Sequence, residues 1–471
     1  MDAQRQPKSI WDALERWGNL ECRRDGTGEG VAQAGPFEEE PASTACTREP
    51  TLADLYLMER ISNPENLNKA YERVLANKGA PGMDGRTVQR LAGWIKQHGR
   101  ELIASLLDGS YRPQAVRGVQ IPKPGGGMRQ LGIPTVVDRL VQQAILQVLE
   151  TILDPTFSAS SYGFRSGHSA HGALAKAQEY VAEGRSIVVD IDLEKFFDRV
   201  NHDVLMNRLS RHVRDKRLLR IVGRFLRAGM MQDGVCVRRE QGTPQGGPLS
   251  PLLANLLLDD LDKELEKRGH AFCRYADDCN IYVQSVAAGE RVMASVTGFL
   301  ENKLRLRVNR QKSAVAHVSE RKFLGHRLLA GGRLGIAPQS LDRARERVRR
   351  ITRRNRGVSF ERVIGELNDF LRGWMAYFRY AQCKRHLQGM DEWIRRKLRC
   401  LRLKQCKRAK PMSDWLRKLG VPPRQARILA SSGKGWWRRS SSPPAMQGMS
   451  LAWFTTQGLV SLNVRYEQLQ H

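Results

Sequence analysis

No two of the eight cysteines form a Cys-x-x-Cys pair; they scatter at positions 22, 46, 236, 273, 279, 383, 400 and 406. A zinc finger with the usual ligand spacing is thereby excluded. Scattered cysteines fit reduced thiols that fill core or surface positions in a cytoplasmic protein. No run of about 18 apolar residues is present, so no segment is expected to span a bilayer. Met1-Asp2-Ala3-Gln4-Arg5-Gln6 leads into no apolar stretch, so no signal peptide is expected. No repeat with a period of about 20–50 residues breaks the chain into a solenoid. Acidic residues are in deficit: 49 Asp and Glu face 78 Lys and Arg, a formal net charge of +29 over 471 residues. A folded chain this basic repels itself, which points to a polyanionic partner. Nucleic acid is the first candidate and an anionic membrane the second, and the missing apolar span weakens the membrane.

What is present is enough for a core, since 41% of residues are hydrophobic. Residues 1–50 read as a flexible N-terminal segment, because Gly26 to Pro50 has neither a helical nor a strand period. From Thr51 to about Pro338, Pro- and Gly-rich turns punctuate mixed helices and strands. Residues 341–410 read as helices crowded with Arg and Lys. Residues 431–471 mix Ser and Gly with Trp436, Trp437, Trp453 and Phe454.

Two segments carry carboxylates where chemistry needs them. Ile187 to Val189 is a strand-like apolar run, and Asp190, Asp192, Glu194 and Asp198 follow. A strand end is a rigid mount for a carboxylate. Farther on, Phe272-Cys273-Arg274-Tyr275 and Cys279-Asn280-Ile281-Tyr282-Val283 flank a polar centre, which reads as a β-hairpin with Asp277 and Asp278 at its turn. Adjacent like charges there gain nothing for folding. A divalent cation is the economical neutraliser, since Mg²⁺ takes one or two carboxylates together with water and phosphate oxygens. Asp192 brought beside Asp277 would form the clamp for two metals about 3.5–4 Å apart that phosphoryl-transfer enzymes use. Taken alone, an Asp-Asp pair is also an ordinary turn.

Tyr275-Ala276-Asp277-Asp278 resembles the Tyr-Ala-Asp-Asp signature of reverse transcriptases, and the likeness extends over most of residues 60–430. Residues 117–143 resemble the fingers segment of the group II intron reverse transcriptases, bacterial type. Residues 161–170 are similar to the block before the first catalytic strand, and residues 241–251 to the loop that contacts template and nucleotide. Lys322-Phe323-Leu324-Gly325 resembles the block closing the palm, and residues 78–85 the N-terminal extension. Ser166, His168 and Gly172 depart from the family's frequent Pro, Arg and Asp, which touches fine template contacts.

The resemblance implies an α/β (α+β) right-hand polymerase fold. Residues 51–180 would be fingers, 181–337 a palm with an antiparallel sheet, and 338–430 a basic helical thumb or maturase domain. Residues 431–471 would form a C-terminal DNA-binding-like tail. It implies Asp192, Asp277 and Asp278 as the catalytic and metal-binding triad, holding two Mg²⁺ ions, with Mn²⁺ as a possible substitute. Asp192 is chosen over Asp190 because the family has an aromatic five residues after the metal-binding aspartate, and Phe197 stands there. That ring would exclude a ribose 2′-hydroxyl; ordinary core packing is the plainer reading of a lone Phe. Asp190 would support the metal site from behind. Lys123, Arg129, Gln245 and Lys312 match positions around the bound dNTP, while Gly242, Gly246 and Gly247 allow close backbone approach.

Asp342 to Arg356 holds eight arginines, and a second basic run spans Trp393 to Lys410. Eight like charges in so short a helix would repel unless phosphates neutralised them. Arg343, Arg347, Arg350, Arg353, Arg354, Arg395, Arg396, Arg399 and Lys404 are accordingly expected to touch nucleic acid. Phe360, Val363, Ile364, Leu367, Leu371, Trp374 and Phe378 lie on one helical face and are expected to pack. Trp436-Trp437 reads equally as a stacking surface and as packing against the thumb. Residues 367–374 resemble the maturase domain, which implies binding of group II intron RNA to promote splicing and retrohoming.

The implied partners are intron RNA, an RNA template with a DNA primer, target DNA and dNTPs, with no membrane, in the bacterial cytoplasm near the nucleoid or in an RNP. Monomer and dimer both stay open. Without Cys-x-x-Cys pairs no C-terminal HNH endonuclease is expected, so insertion would need an existing primer. Two alternatives stand beside this reading: a free-standing host reverse transcriptase in DNA repair or phage defence, and an RNA-binding splicing cofactor without polymerase activity.

Overall fold

A computed structural model describes residues 56–122, 126–232, 235–237, 241–243 and 246–470. The expected flexible segment 1–50 lies outside them. Contacts group the chain into two units that interleave in sequence: one runs through Ala173 and adds Val189–Ile281 and Glu290–Ala314, the other takes Leu174–Val188, Tyr282–Gly289 and Val315–His471. A linear partition at 180 and 337 does not anticipate this, because strand pairing joins residues far apart in the chain. No described helix is long and apolar enough to cross a membrane.

The first unit is mixed. Its helix Val136–Leu153 is buried along most of its length, and Thr135 starts it by accepting the Asp138 amide at 3.1 Å. Asn201 and Asp215 cap helices His202–His212 and Lys216–Arg227 in the same way. Strands β1 (Val116–Pro122) and β2 (Met128–Ile133) pair antiparallel, from Arg117 opposite Ile133 to Pro122 opposite Met128. Strand β3 is Ile187–Ile191; β4 (Met230–Gln232) runs parallel to β1 and pairs with β5 (Val235–Val237), giving a sheet in the order β2-β1-β4-β5. The region expected to form the fingers thus carries the β1–β2 hairpin as well as helices.

A second four-stranded sheet has the order β6-β7-β3-β8, with β6 at Ala271–Tyr275, β7 at Asp278–Val283 and β8 at Ala314–His317. Strands β6 and β7 are neighbours joined by two residues, a connection that only an antiparallel hairpin permits.

The second unit is mainly helical after Pro338. Helix Pro338–Ile351 begins on a proline, whose missing N–H costs nothing there. Helix Phe360–Phe378 is capped by Ser359, and helix Lys384–Gln405 follows. Of the predicted apolar face, Phe360, Val363, Ile364, Leu367, Leu371 and Phe378 are buried in one core, with Trp374 packed at its margin. Residues set apart in the sequence as a tail belong to that core too: Ala445, Met449, Phe454 and Leu462 are buried in it. Two buried polar side chains fasten them. Asn368 donates to Gly458 O at 2.7 Å and accepts from Val460 N at 2.9 Å. Asp391 accepts from Ser461 Oγ, Leu462 N and Asn463 N at 2.7–3.1 Å.

Candidate active site

The apolar side chains of β3 are buried, so the core fixes its end, and Asp192 is the first residue beyond it. The segment 309–313 then holds both main-chain groups of Asp192. Its amide donates to Ser313 Oγ at 3.0 Å, and its carbonyl accepts from Asn309 N at 2.8 Å. The same segment places Lys312 Nζ 3.7 Å from Asp192 Oδ2.

The hairpin turn is one residue earlier than expected. Ala276 and Asp277 are its central pair, and Asp278 opens β7 with an exposed side chain. Ala276 takes φ +58°, where glycine is the usual residue. Its conformation is held from below by Arg274, which is 1% exposed. Nε and Nη2 of Arg274 grip the fully buried Asp262 at 2.5–3.0 Å. Nη1 donates to Asn255 Oδ1 at 3.0 Å and to Ala276 O at 2.9 Å, and Nη2 also donates to Ser161 Oγ at 2.6 Å. All five guanidinium protons are thereby used. Burial pulls the Arg274 pKa down, but the Asp262 carboxylate outweighs it and the net shift is upward, so the arginine stays charged. Asn255 passes the support on by donating to Gly163 O at 2.8 Å.

Asp277 is half-buried and its carboxyl is pushed above the usual range. Burial is the largest cause; the Asp192 charge adds to it, against the pull of a backbone hydrogen bond, Arg129 and Lys312. Asp192 and Asp277 therefore repel one another, with two cations as counter-charges. This crowding of hard oxygen donors fits a divalent ion with phosphate oxygens completing its shell. Among the described residues, however, no group of three or more His, Cys, Asp and Glu is arranged to hold a metal. The set is a pair with Asp278 alongside, not a closed cage.

Phe197 stands in the short helix Phe196–Arg199, which begins after Lys195 at φ +49°. Phe196 is buried, whereas Phe197 lines a cavity of about 660 Å³ with Arg129, Arg139, Gln143, Phe164 and Gly247. The glycine-rich loop is fastened to this turn: Thr243 N donates to Phe197 O, and Gly242 N to Val200 O, both at 2.7 Å. A Cβ on Gly242 would come within 2.8 Å of Asp198 O, which is why that position takes glycine. Lys123 and Gln245 lie outside the described residues. Arg129 sits on β2, exposed and opposite Ile121.

The sequence reading missed Arg274, Asp262, Asn255, Gly163 and Phe164. One signal was available. Arg274 lies in an otherwise apolar strand, and Asp262 in the leucine-rich helix Ser250–Lys267, and charged residues at core positions need a partner.

The basic helices need correction in part. The chain supplies counter-charges for half of the first run: Arg345 pairs with Asp342, Arg349 and Arg350 with Glu346, and Arg356 with Glu366. The helix ends at Ile351, so Arg353 and Arg354 lie beyond it and mutual repulsion is smaller than a continuous helix would impose. Phosphate is not required to hold it. Arg350 thus has an acidic partner, and Arg354 reaches Cys400 Sγ at 3.8 Å. Arg343, Arg347, Arg353 and Lys404 are exposed. Arg399 differs most from expectation: half-buried, it donates to Met449 O and Ser440 O at 3.3–3.4 Å and so anchors the last helices. Half-buried Arg395 lies near Arg396 and Arg399. Arg396 lies 4.0 Å over the ring of Trp437, which Lys397 also approaches at 5.1 Å. Trp436 packs against the core with Arg439 over it, so the two tryptophans divide between packing and surface.

Comparisons with known proteins add to this geometry. A reverse transcriptase (RNA-dependent DNA polymerase) family model matches residues 121–328, and a group II intron, maturase-specific domain model matches residues 341–420. The chain is 33% identical over 329 residues to Protein YkfC of Escherichia coli (strain K12), covering 61% of this chain and 86% of that one. It is 36% identical over 208 residues to the group II intron-encoded protein LtrA of Lactococcus lactis subsp. cremoris, covering 44% of this chain and 34% of LtrA. Of the intron-encoded relative it thus spans about a third. Among solved structures, a chain of a partial Cas6-RT-Cas1–Cas2 complex aligns with 52% of this chain and 43% of its own length, at 27% identity and a TM-score of 0.35.

Proposed function

Because this chain belongs to the group II intron-encoded reverse transcriptase and maturase family, we propose that it copies RNA into DNA and binds intron RNA to aid splicing and retrohoming. The observation that carries the polymerase reading is the meeting of Asp192 and Asp277 at neighbouring strand ends, with Arg129 and Lys312 around them.

Asp192, Asp277 and the exposed Asp278 would hold two Mg²⁺ ions, or Mn²⁺ in their place. When bound, these supply charge that lowers the pKa of a primer 3′-hydroxyl and stabilises the departing pyrophosphate. The chain's own groups do the rest by position and charge. Arg129 and Lys312, with Lys123, neutralise the dNTP triphosphate. Phe197, raised into the cavity by its short helix, closes the space that a 2′-hydroxyl would need. Gly246 and Gly247 line the same cavity, so their backbone bounds the nucleotide. In the second unit, exposed Arg343, Arg347, Arg353 and Lys404 and the Arg396–Trp437 stack offer charge and an aromatic face to structured RNA. Such a protein would work in the cytoplasm, bound to its RNA.

Primer extension on an RNA template tests the reading. DNA synthesis with Mg²⁺ and none without divalent ion supports it; no synthesis with either Mg²⁺ or Mn²⁺ overturns the polymerase assignment. Accelerated splicing of a group II intron RNA by the purified protein tests the maturase half independently.

A further inference from the structure

Phe164 is a large apolar side chain that the fold keeps in the open. The residue is 53% exposed, its backbone has φ +58°, and it lines the same cavity as Phe197 and Arg129. Both features are unfavourable. A phenyl ring gains by burial, and a residue with a Cβ is strained at positive φ. Strain of this kind persists only where the surroundings over-determine it, and it gathers at functional sites.

The surroundings here do over-determine it. On one side, Gly163 lies against the catalytic turn so closely that an added Cβ would stand 2.2 Å from Ala276 N, and Gly163 O is held by Asn255. Tyr162 N donates to Arg274 O at 2.8 Å. On the other side, Arg165 pairs with Asp154 at 2.7 Å and donates to Ser158 O and Ser161 O at 2.6 and 3.0 Å. Phe164 is therefore an exposed ring on a braced loop, registered to the backbone that carries Asp277.

We infer that Phe164 is a stacking platform for a nucleobase at the insertion site, a role that rests on the polymerase reading above. A flat apolar ring in a cavity bordered by Arg129, Arg139 and Gln143 is matched by a ligand with a π-face and anionic phosphate, which is a nucleotide. The base is either that of the template or that of the incoming nucleotide.

The experiment compares wild type with Phe164→Ala, Phe164→Gly and Phe164→Tyr in single-nucleotide insertion. A parallel arm reads 2-aminopurine emission, with the fluorescent base placed first in the template and then in the incoming triphosphate. Stacking predicts that Ala and Gly each lower kcat/KM by roughly tenfold to a hundredfold, and that Tyr restores it. Glycine separates the ring from the backbone, since it adopts positive φ without strain; a structural role would leave Phe164→Gly as active as wild type. The 2-aminopurine signal that changes with the ring identifies which base is stacked. Wild-type kinetics in Phe164→Gly, or emission unaltered by ring removal in both positions, overturns the inference. Because the emission arm needs binding but no turnover, it tests Phe164 even if wild type fails to extend the primer, a failure that would sink the polymerase reading instead.

Discussion

Arg274 donates a 2.9 Å hydrogen bond to the carbonyl oxygen of Ala276, the residue immediately before Asp277. The turn that carries Asp277 is therefore tied to a buried ion pair. Removing one partner of such a pair leaves an uncompensated charge in the core, which costs about 3–5 kcal/mol. Asp262→Asn and Arg274→Met are each expected to lose stability in that range, measured by denaturant unfolding. Arg274→Lys retains the charge and loses the fork, so it should lower kcat for primer extension more than it raises KM for dNTP.

Asp277→Asn should abolish cDNA synthesis while leaving RNA affinity largely intact. It should also stabilise the free protein. A carboxyl raised by burial and by Asp192 favours the folded state most when protonated. That contribution is complete below the ordinary carboxylate range and is lost as pH rises through the elevated value. At neutral pH, without divalent ion, the ionised group therefore costs stability that asparagine does not. A thermal melt should show the variant higher at pH 7 and the difference shrinking as the pH falls into the ordinary carboxylate range. Equal loss of synthesis and RNA binding would break the proposed division of labour.

Phe197→Ala should admit ribonucleotides. Opening space for one hydroxyl in a pocket changes discrimination by roughly 10- to 200-fold. The ratio of kcat/KM for dNTP over NTP measures it directly, and an unchanged ratio removes Phe197 from the gate.

Lys312→Ala and Arg129→Ala should raise KM for dNTP by on the order of tenfold to a hundredfold, as expected for lost contacts to a charged group. Lys312 also faces Asp192 at 3.7 Å as a competing cation, so its loss should in addition lower the Mg²⁺ concentration needed for half-maximal rate. A steady-state titration in both dNTP and Mg²⁺ separates the two effects.

Asp391→Ala should loosen the last helices. It removes the acceptor for Ser461 Oγ, Leu462 N and Asn463 N, at a cost of about 2–3 kcal/mol. Faster proteolysis within 458–470, with primer extension on short templates little changed, is the expected result.

Local sequence carried much of the candidate site. The β-prone runs around Tyr275 to Cys279 announced the hairpin, and the apolar run before Asp192 announced its strand end. The turn was misplaced by one residue because the sequence offers no glycine to mark the positive-φ position that Ala276 occupies. Arg274 was illegible for a different reason. Its partners Ser161, Asn255 and Asp262 come from a loop and a helix that only the folded chain brings together. Counting arginines from 342 to 356 overstated their repulsion, since Glu346 and the more distant Glu366 neutralise several of them. The last forty residues looked like an appendage because no single helical or strand period runs through their apolar side chains, which sit on several short helices packed into the core that holds Leu367, Leu371 and Leu398.

The contact between Gly163 and Ala276 also limits how the enzyme can be rebuilt. With no room at position 163 for even a methyl group, a graft that imports the hairpin into another scaffold must carry the 161–165 loop with it. The two segments, more than a hundred residues apart, have to be exchanged as one part.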